Sequence, residues 1–411
     1  MAEINKIALE RIEQAAREEA EELDLRGLGL YELPEEIRQL KKLRYLRLGY
    51  LSCSHFSLNT YNYLTNLPDW LRELKYLQDL DLSRNDLREL PVWMGELKQL
   101  QFLNLRANHL RGLPASLGEL KHLKTLNLGA NYLTKLPTRL GALSQLQSLD
   151  FSRNKLSQLP LWLTDLKRLQ SLDLRGNNFN KLPDWLGDIK QLESLSFGGY
   201  PFEVTNLGKL PTWLRKLKNL RSLDLRYNKL SELPEWLGEL KQLQILDLNR
   251  NNLSKLIDGL GNLKQLQTLN LGGNKLNNLP TWLGDLKQLQ TLNLGGNKLS
   301  ELPVCVGELK QLQILDLSGN KLSELPTWLV DLKQLQSLDL SGNRLSELPV
   351  WLGDFRQLQS VDLRGNNLSE LPIWLRELKQ LQYLALRDNK LHELPEWFEE
   401  LKDLQYLDLS Y

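Results

Sequence analysis

Residues 279–301 read LPTWLGDLKQLQTLNLGGNKLSE, and residues 302–324 repeat the pattern as LPVCVGELKQLQILDLSGNKLSE. Leucines at 279, 283, 286, 289, 292, 294 and 299 recur at the same offsets up and down the chain with a period of 23, and Asn297 keeps a fixed place among them. The segment TLNL alternates inward and outward side chains, as a short strand does. WLGDLKQLQ instead spaces its apolar residues three apart, as one or two helical turns would. Each unit therefore predicts a strand followed by a short helical arc. The length of 411 residues would ordinarily suggest two or three domains. Repeats that bury their apolar faces only against one another share one continuous core, so one long domain is expected.

Each recurring position has a physical reason. At Asn85, Asn108, Asn131, Asn154, Asn177, Asn228, Asn251, Asn274, Asn297, Asn320, Asn343, Asn366 and Asn389 the chain leaves its strand inside a crowded loop. An amide donates and accepts at once, so a stacked ladder of these residues can satisfy the buried backbone there. The proline of each LP pair fixes φ where no strand is wanted. All 11 tryptophans fall two residues after that proline, from Trp70 and Trp93 to Trp374 and Trp397. Such a row could stack on sugars or bases. The reading preferred is that the indoles cover seams between neighbouring arcs, since Ser116, Arg139, Gly259 and Cys305 take the same place.

The pattern LxxLxLxxNxLxxLP resembles the leucine-rich repeat, over residues 21 to 411 and in more than a dozen copies. The resemblance implies an α/β solenoid, a right-handed horseshoe or superhelix. Its curved parallel sheet lines the concave face and its short helical arcs the convex face. About 17 strand units are expected, centred from Asp24 to Asp408.

The totals exclude several functions. With 52 basic and 51 acidic residues the chain has no bulk field for nucleic acid or an anionic membrane. The start, MAEINKIALERIEQAAREEAEELDL, carries charge throughout, unlike a signal peptide or an anchor, and Cys53 and Cys305 are too few for a disulfide framework. A cytoplasmic location is expected. The sequons at Asn252 and Asn367 are weak signals.

Residues 1–20 are expected to form a capping helix, with Ile4, Ile7, Ala8, Ile12 and Ala15 on one stripe; Leu28 replaces the ladder asparagine in the unit that follows. The final YLDLSY stops inside a strand unit, so the expectation is a chain trimmed from something longer. The helix RIEQAAREEAEELDLRGLGLYELPEEIRQLKKL followed by LPxWLxxL units is similar to the start of bacterial Roco proteins. In that family the repeats precede a Ras-like GTPase and a dimerising domain. No GxxxxGK[ST] loop occurs in these residues, so nucleotide chemistry would lie beyond Tyr411.

Catalytic signatures are thin. His55, His109, His122 and His392 have no second ligand at a metal spacing, and HELPE at 392–396 lacks the returning histidine of HExxH. Cys53 and His55 could pair as nucleophile and base, but no orienting acid accompanies them. No enzyme, metal or cofactor is expected, and the serine of KLSELP reads as turn chemistry.

The expected function is protein binding, to another domain of the same chain or to a separate protein. The strand face carries an acidic column including Asp224, Asp247 and Asp339, beside Arg226, Arg364 and Arg387. That column either solvates the sheet or attracts a basic partner. Two insertions, near 51–62 and 200–205, exceed the period by 11 and 5 residues and should rise from one rim, about 30 Å apart. They bring Tyr50, His55, Phe56, Tyr61, Tyr63, Tyr200 and Phe202 into loops that the framework does not need, either as interface anchors or folded back on the rim. Tyr383, with Tyr45, Phe102 and Tyr406, adds aromatics on the strand face.

Overall fold

A computed structural model describes residues 2–50, 61–179, 181–200, 208–392 and 394–409, with side chains from Lys6 onward. It divides into two compact units, Met1–Thr205 and Asn206–Tyr411. The first begins with helix α1 (Ala2–Arg17) and continues with β1 (Glu22–Asp24), β2 (Tyr45–Arg47), β3 (Asp79–Asp81) and β4 (Phe102–Asn104). It goes on through β5 (Thr125–Asn127), β6 (Ser148–Asp150), β7 (Ser171–Asp173) and β8 (Ser194–Ser196). These pair in parallel, each with the next, from β1–β2 to β7–β8. The second holds β9 (Ser222–Asp224), β10 (Ile245–Asp247), β11 (Thr268–Asn270), β12 (Thr291–Asn293), β13 (Ile314–Asp316), β14 (Ser337–Asp339), β15 (Ser360–Asp362), β16 (Tyr383–Ala385) and β17 (Tyr406–Asp408). They too form consecutive parallel pairs.

The 23-residue unit explains this architecture. In β12 Leu292 is buried while Thr291 and Asn293 face out, as a period of two requires. The arc at Thr281–Asp285 is a 3-10 helix, more tightly wound than an α-helix. Leu283 N–H donates to Pro280 O (3.2 Å), Leu286 to Leu283 (3.2 Å) and Leu289 to Leu286 (2.9 Å). At three residues per turn those side chains lie one above the other, which is why leucines spaced by three all point inward. Leu283, Leu286, Leu289, Leu292, Leu294 and Leu299 are fully buried, each contributing about 2 kcal/mol of apolar burial.

Neighbouring arcs pack closely because glycine sits where they touch. A Cβ on Gly238 would meet Gly259 O at 1.9 Å, and one on Gly261 would meet Trp282 Cβ at 3.0 Å. The indoles thus lie over the seams between arcs, and Trp93 donates its Nε1–H to Asp69 Oδ1 across one of them (2.8 Å). On α1, Ala8, Ile12 and Ala15 are buried, whereas Ile7 is 41% exposed, so the apolar stripe is narrower than its spacing implied.

Candidate functional site

The loops that leave the strands set the rim. The ladder asparagines repeat one bonding pattern wherever both neighbouring loops are described: Asn274 Oδ1 accepts from Leu253 N–H (3.0 Å), and its Nδ2 donates to Leu248 O (3.0 Å) and Leu271 O (2.9 Å). Asn62, passed over by the sequence reading, belongs to this ladder. It is fully buried, accepts from Leu30 N–H (2.9 Å), and donates to Leu25 O (2.9 Å) and Leu48 O (3.0 Å). The first insertion therefore falls between β2 and its own asparagine. Counting back six residues from Pro68, as from Pro91 to Asn85, would have found it.

The residue before the asparagine takes a left-handed conformation in both units. In the second it is Gly273, Gly296, Gly319, Gly342 and Gly365, all with φ near +60°, and also Tyr227 (φ 57°), Arg250 (φ 55°) and Asp388 (φ 55°). In the first it is Gly176 (φ 60°) and also Arg84 (φ 51°), Ala107, Ala130 and Arg153 (φ 52°), where an L side chain costs about 1 kcal/mol or more. Those two arginines meet the tyrosines at the insertions. The Arg84 guanidinium lies 4.1 Å from the Tyr50 ring centre, and Arg153 lies 3.8 Å from that of Tyr200, with Arg175 at 5.6 Å. Tyr63 stacks on Tyr31 (5.0 Å) and tilts against Tyr61 (4.9 Å). Tyr50, Tyr61, Tyr63 and Tyr200 are thus half-buried and packed on the rim of the first unit, not projecting freely. His55, Phe56, Phe202 and the Cys53 thiol lie outside the described residues.

The acidic column of the strand face has a second role. Asp81 Oδ1 accepts the Ser83 N–H (3.0 Å), Asp339 that of Ser341 (2.9 Å) and Asn127 that of Gly129 (3.0 Å). Asp and Asn alternate there because both accept the backbone N–H two residues on. Arg226 bridges Asp224 and Asp247 at 2.9 Å each, and both acids are buried, so Arg226 offsets one of the two carboxylates and ties both into the strand face. Arg387 pairs with Asp388 (3.3 Å). Burial, before any neighbouring charge, raises the carboxyls of Asp150, Asp247 and Asp339 above the usual range. Tyr383 and Tyr406 stack face to face, 4.6 Å apart and 3° from parallel, with Tyr406 47% exposed.

Along the rim of the first unit, after β3 to β6, lies a groove of about 790 Å³ lined by Arg88, His109, Arg111, Tyr132, Thr134 and Lys155. Cys305 is half-buried in its arc, and burial raises its thiol pKa. Among the described residues no group of three His, Cys, Asp or Glu side chains is placed to hold a metal, and no helix is long and apolar enough to cross a membrane.

Two family models match the chain: a leucine-rich repeat region over residues 111–218, 211–294, 254–340 and 283–359, and a leucine rich repeat over 57–110 and 349–411. A leucine-rich repeat protein of Leptospira interrogans is 37% identical, with a TM-score of 0.75 over 96% of this chain and 97% of that one. The ectodomain of the plant membrane receptor kinase GASSHO1/SCHENGEN3 from Arabidopsis thaliana, solved with Casparian strip integrity factor 2, is 31% identical. Its TM-score is 0.59 over 92% of this chain and 54% of that one. The plant peptide hormone receptor RGFR1, in complex with RGF2, is 27% identical, with a TM-score of 0.59 over 92% and 65%. No curated protein sequence matches. With period, strand pairing, asparagine ladder and family models in agreement, the chain belongs to the leucine-rich repeat family.

Proposed function

We propose that this protein binds a protein or peptide partner along the rim of its first unit. The observation that carries this reading is the pair of arginine–tyrosine stacks at the two insertions. Arg84 and Arg153 occupy left-handed positions, which glycine fills at five repeats of the second unit and Tyr227, Arg250 and Asp388 at three others, and each of these two arginines covers a tyrosine at an insertion. Arginine and tyrosine are also the residues that dominate interface energetics. The two plant receptors were solved with partners, which supports the same use of this fold. Tyr383 and Tyr406 offer a second, smaller aromatic surface in the other unit.

The finer reading is a recognition arm of a bacterial Roco-type GTPase in the cytoplasm. It rests on the likeness of the first helix and the LPxWLxxL units; a phosphate loop encoded within a few hundred codons after Tyr411 would support it, and a stop codon there would rule it out. The alternative is a stand-alone repeat scaffold. The binding reading itself is tested by affinity capture with the intact chain and with Tyr50→Ser/Tyr61→Ser/Tyr200→Ser, both checked for native circular dichroism. Loss of a captured protein only from the variant is the expected result; equal capture by both would move the site off the rim.

A further inference from the structure

We infer that the groove over Arg88, His109, Arg111, Tyr132, Thr134 and Lys155 is a binding site for an acidic peptide segment of a partner protein. The inference rests on the protein-binding reading above and names the chemistry of one part of that surface.

The repeat itself shows what is unusual here. Three residues after the ladder asparagine half of the units carry serine, as at Ser231, Ser300, Ser323 and Ser346, and one residue further several carry glutamate, as at Glu232, Glu301, Glu324 and Glu347. After β3 and β4 the serine becomes Arg88 and Arg111. After β4, β5 and β6 the glutamate becomes Gly112, Lys135 and Gln158. The substitutions add cations and remove anions over consecutive repeats. In the second unit the rim behaves otherwise, with Lys209 bound to Glu232 at 2.9 Å.

Among the described residues Arg88, Arg111 and Lys155 have no carboxylate within salt-bridge distance. Lys155 lies 5.0 Å from the ring centre of Tyr132, and His109 stacks on that same ring, 5.8 Å between centres. Asp86 is the carboxylate that faces His109, at 3.6 Å. The result is an aromatic floor flanked by unpaired cations in a chain whose net charge is only +1. Strands about 4.8 Å apart bring a new cation-bearing loop every repeat, and an extended peptide presents same-side residues about 7 Å apart, within reach of long arginine and lysine side chains. Arginine forks suit carboxylates, and the tyrosine ring offers apolar cover beside them.

Neither insertion supplies the occupant. Residues 51–60 contain no acid and residues 201–207 only Glu203, so the complementary charge must come from elsewhere. Nucleic acid is the less suitable ligand. Its affinity needs many phosphate contacts, and the charge here is confined to a few repeats with Asp86 and Glu89 at one end.

The test is fluorescence polarisation with the full chain and a labelled peptide carrying four glutamates at alternate positions around one tryptophan. Its controls are the same peptide with glutamine for glutamate and an oligo-dT of equal charge. Binding at least about tenfold tighter for the glutamate peptide, weakened by raising salt and by Arg88→Ser/Arg111→Ser, is expected. Serine is already the residue of most other repeats at those positions, so the variant should fold, and circular dichroism checks it. Equal affinity for the two peptides, no effect of the double variant, no binding below about 1 mM, or tighter binding of oligo-dT would each overturn the inference. If acidic-peptide binding is absent but the tyrosine variant still loses its captured partner, the groove assignment fails while the rim reading stands.

Discussion

Replacing Asn62 by alanine tests whether the interrupted repeat is held as the regular ones are. The side chain is fully buried and bonds three backbone groups: Leu30 N–H, Leu25 O and Leu48 O. Leu48 O keeps a second donor, Asn85 Nδ2 at 3.1 Å, and so stays satisfied without Asn62. Leu30 N–H and Leu25 O would lose the bonds that Asn62 makes, deep in the loop stack. A buried polar group left without a partner costs about 1–3 kcal/mol, so two such groups predict a loss of about 2–6 kcal/mol. The loss should be local, because each repeat leans on its immediate neighbours. Native-state hydrogen exchange is therefore the assay, read at the amides of Leu30, Tyr63 and Leu64, with Asn66→Ala as an exposed control expected to change stability by less than about 0.5 kcal/mol. A loss below about 1 kcal/mol at those amides would refute the argument, since it would mean that water or a shifted loop replaces the amide without difficulty.

Three further comparisons probe the frame. Asp339 sits between Asp316 and Asp362 in register, its carboxyl raised first by burial and then by those neighbours. A raised folded-state pKa makes the ionised carboxylate a cost at neutral pH, and that cost disappears as pH falls toward the unfolded value. Asp339→Asn, which keeps an acceptor for Ser341 N–H, should therefore stabilise by about 0.5–1 kcal/mol near pH 7. Thermal melts should show the advantage shrinking toward about pH 4; an advantage that grows on acidification contradicts the sign. Gly238→Ala should lose about 1–3 kcal/mol in urea melts, because its Cβ would strike Gly259 O. Gly112→Ala, with open space around it, should be neutral within about 0.5 kcal/mol; similar losses at both would discard close arc packing as the cause. Trp93→Phe should cost about 1 kcal/mol more than Trp282→Phe, because Trp93 Nε1 is bonded to Asp69 whereas the buried Trp282 Nε1 has no partner.

The periodic part of the fold was legible because each inward leucine serves the same role in every unit, so position alone identifies strand, arc and ladder. Leu292 and Leu283 needed no long-range information. Asn62 was missed because an insertion displaced it from its strand, although its distance to the following proline was unchanged. For the Asp/Asn column the sequence left two readings, solvation of the sheet or attraction of a basic partner, and the interchange of acid with amide was the available signal that an acceptor is what the backbone needs at that place. The arginine–tyrosine stacks were not readable. Tyr200 meets Arg153 across 47 residues of sequence, and no local pattern reports which ring an arginine covers.

A repeat built to one rule makes its departures informative, because the regular units act as internal controls for the irregular ones. Glycine at the left-handed position of Gly273, Gly296, Gly319, Gly342 and Gly365 meets the backbone's preference without strain, although Tyr227, Arg250 and Asp388 take the same place in other repeats. Serine and glutamate at the rim show the default polar surface. In the first unit arginine replaces glycine beside two tyrosines, and arginine replaces serine over the groove between the two insertions. Folding alone would favour the default residue at each of these positions. Their grouping on one rim, within four repeats, therefore points to recognition as the constraint, and returning each residue to the default separates what the solenoid needs from what its partner needs.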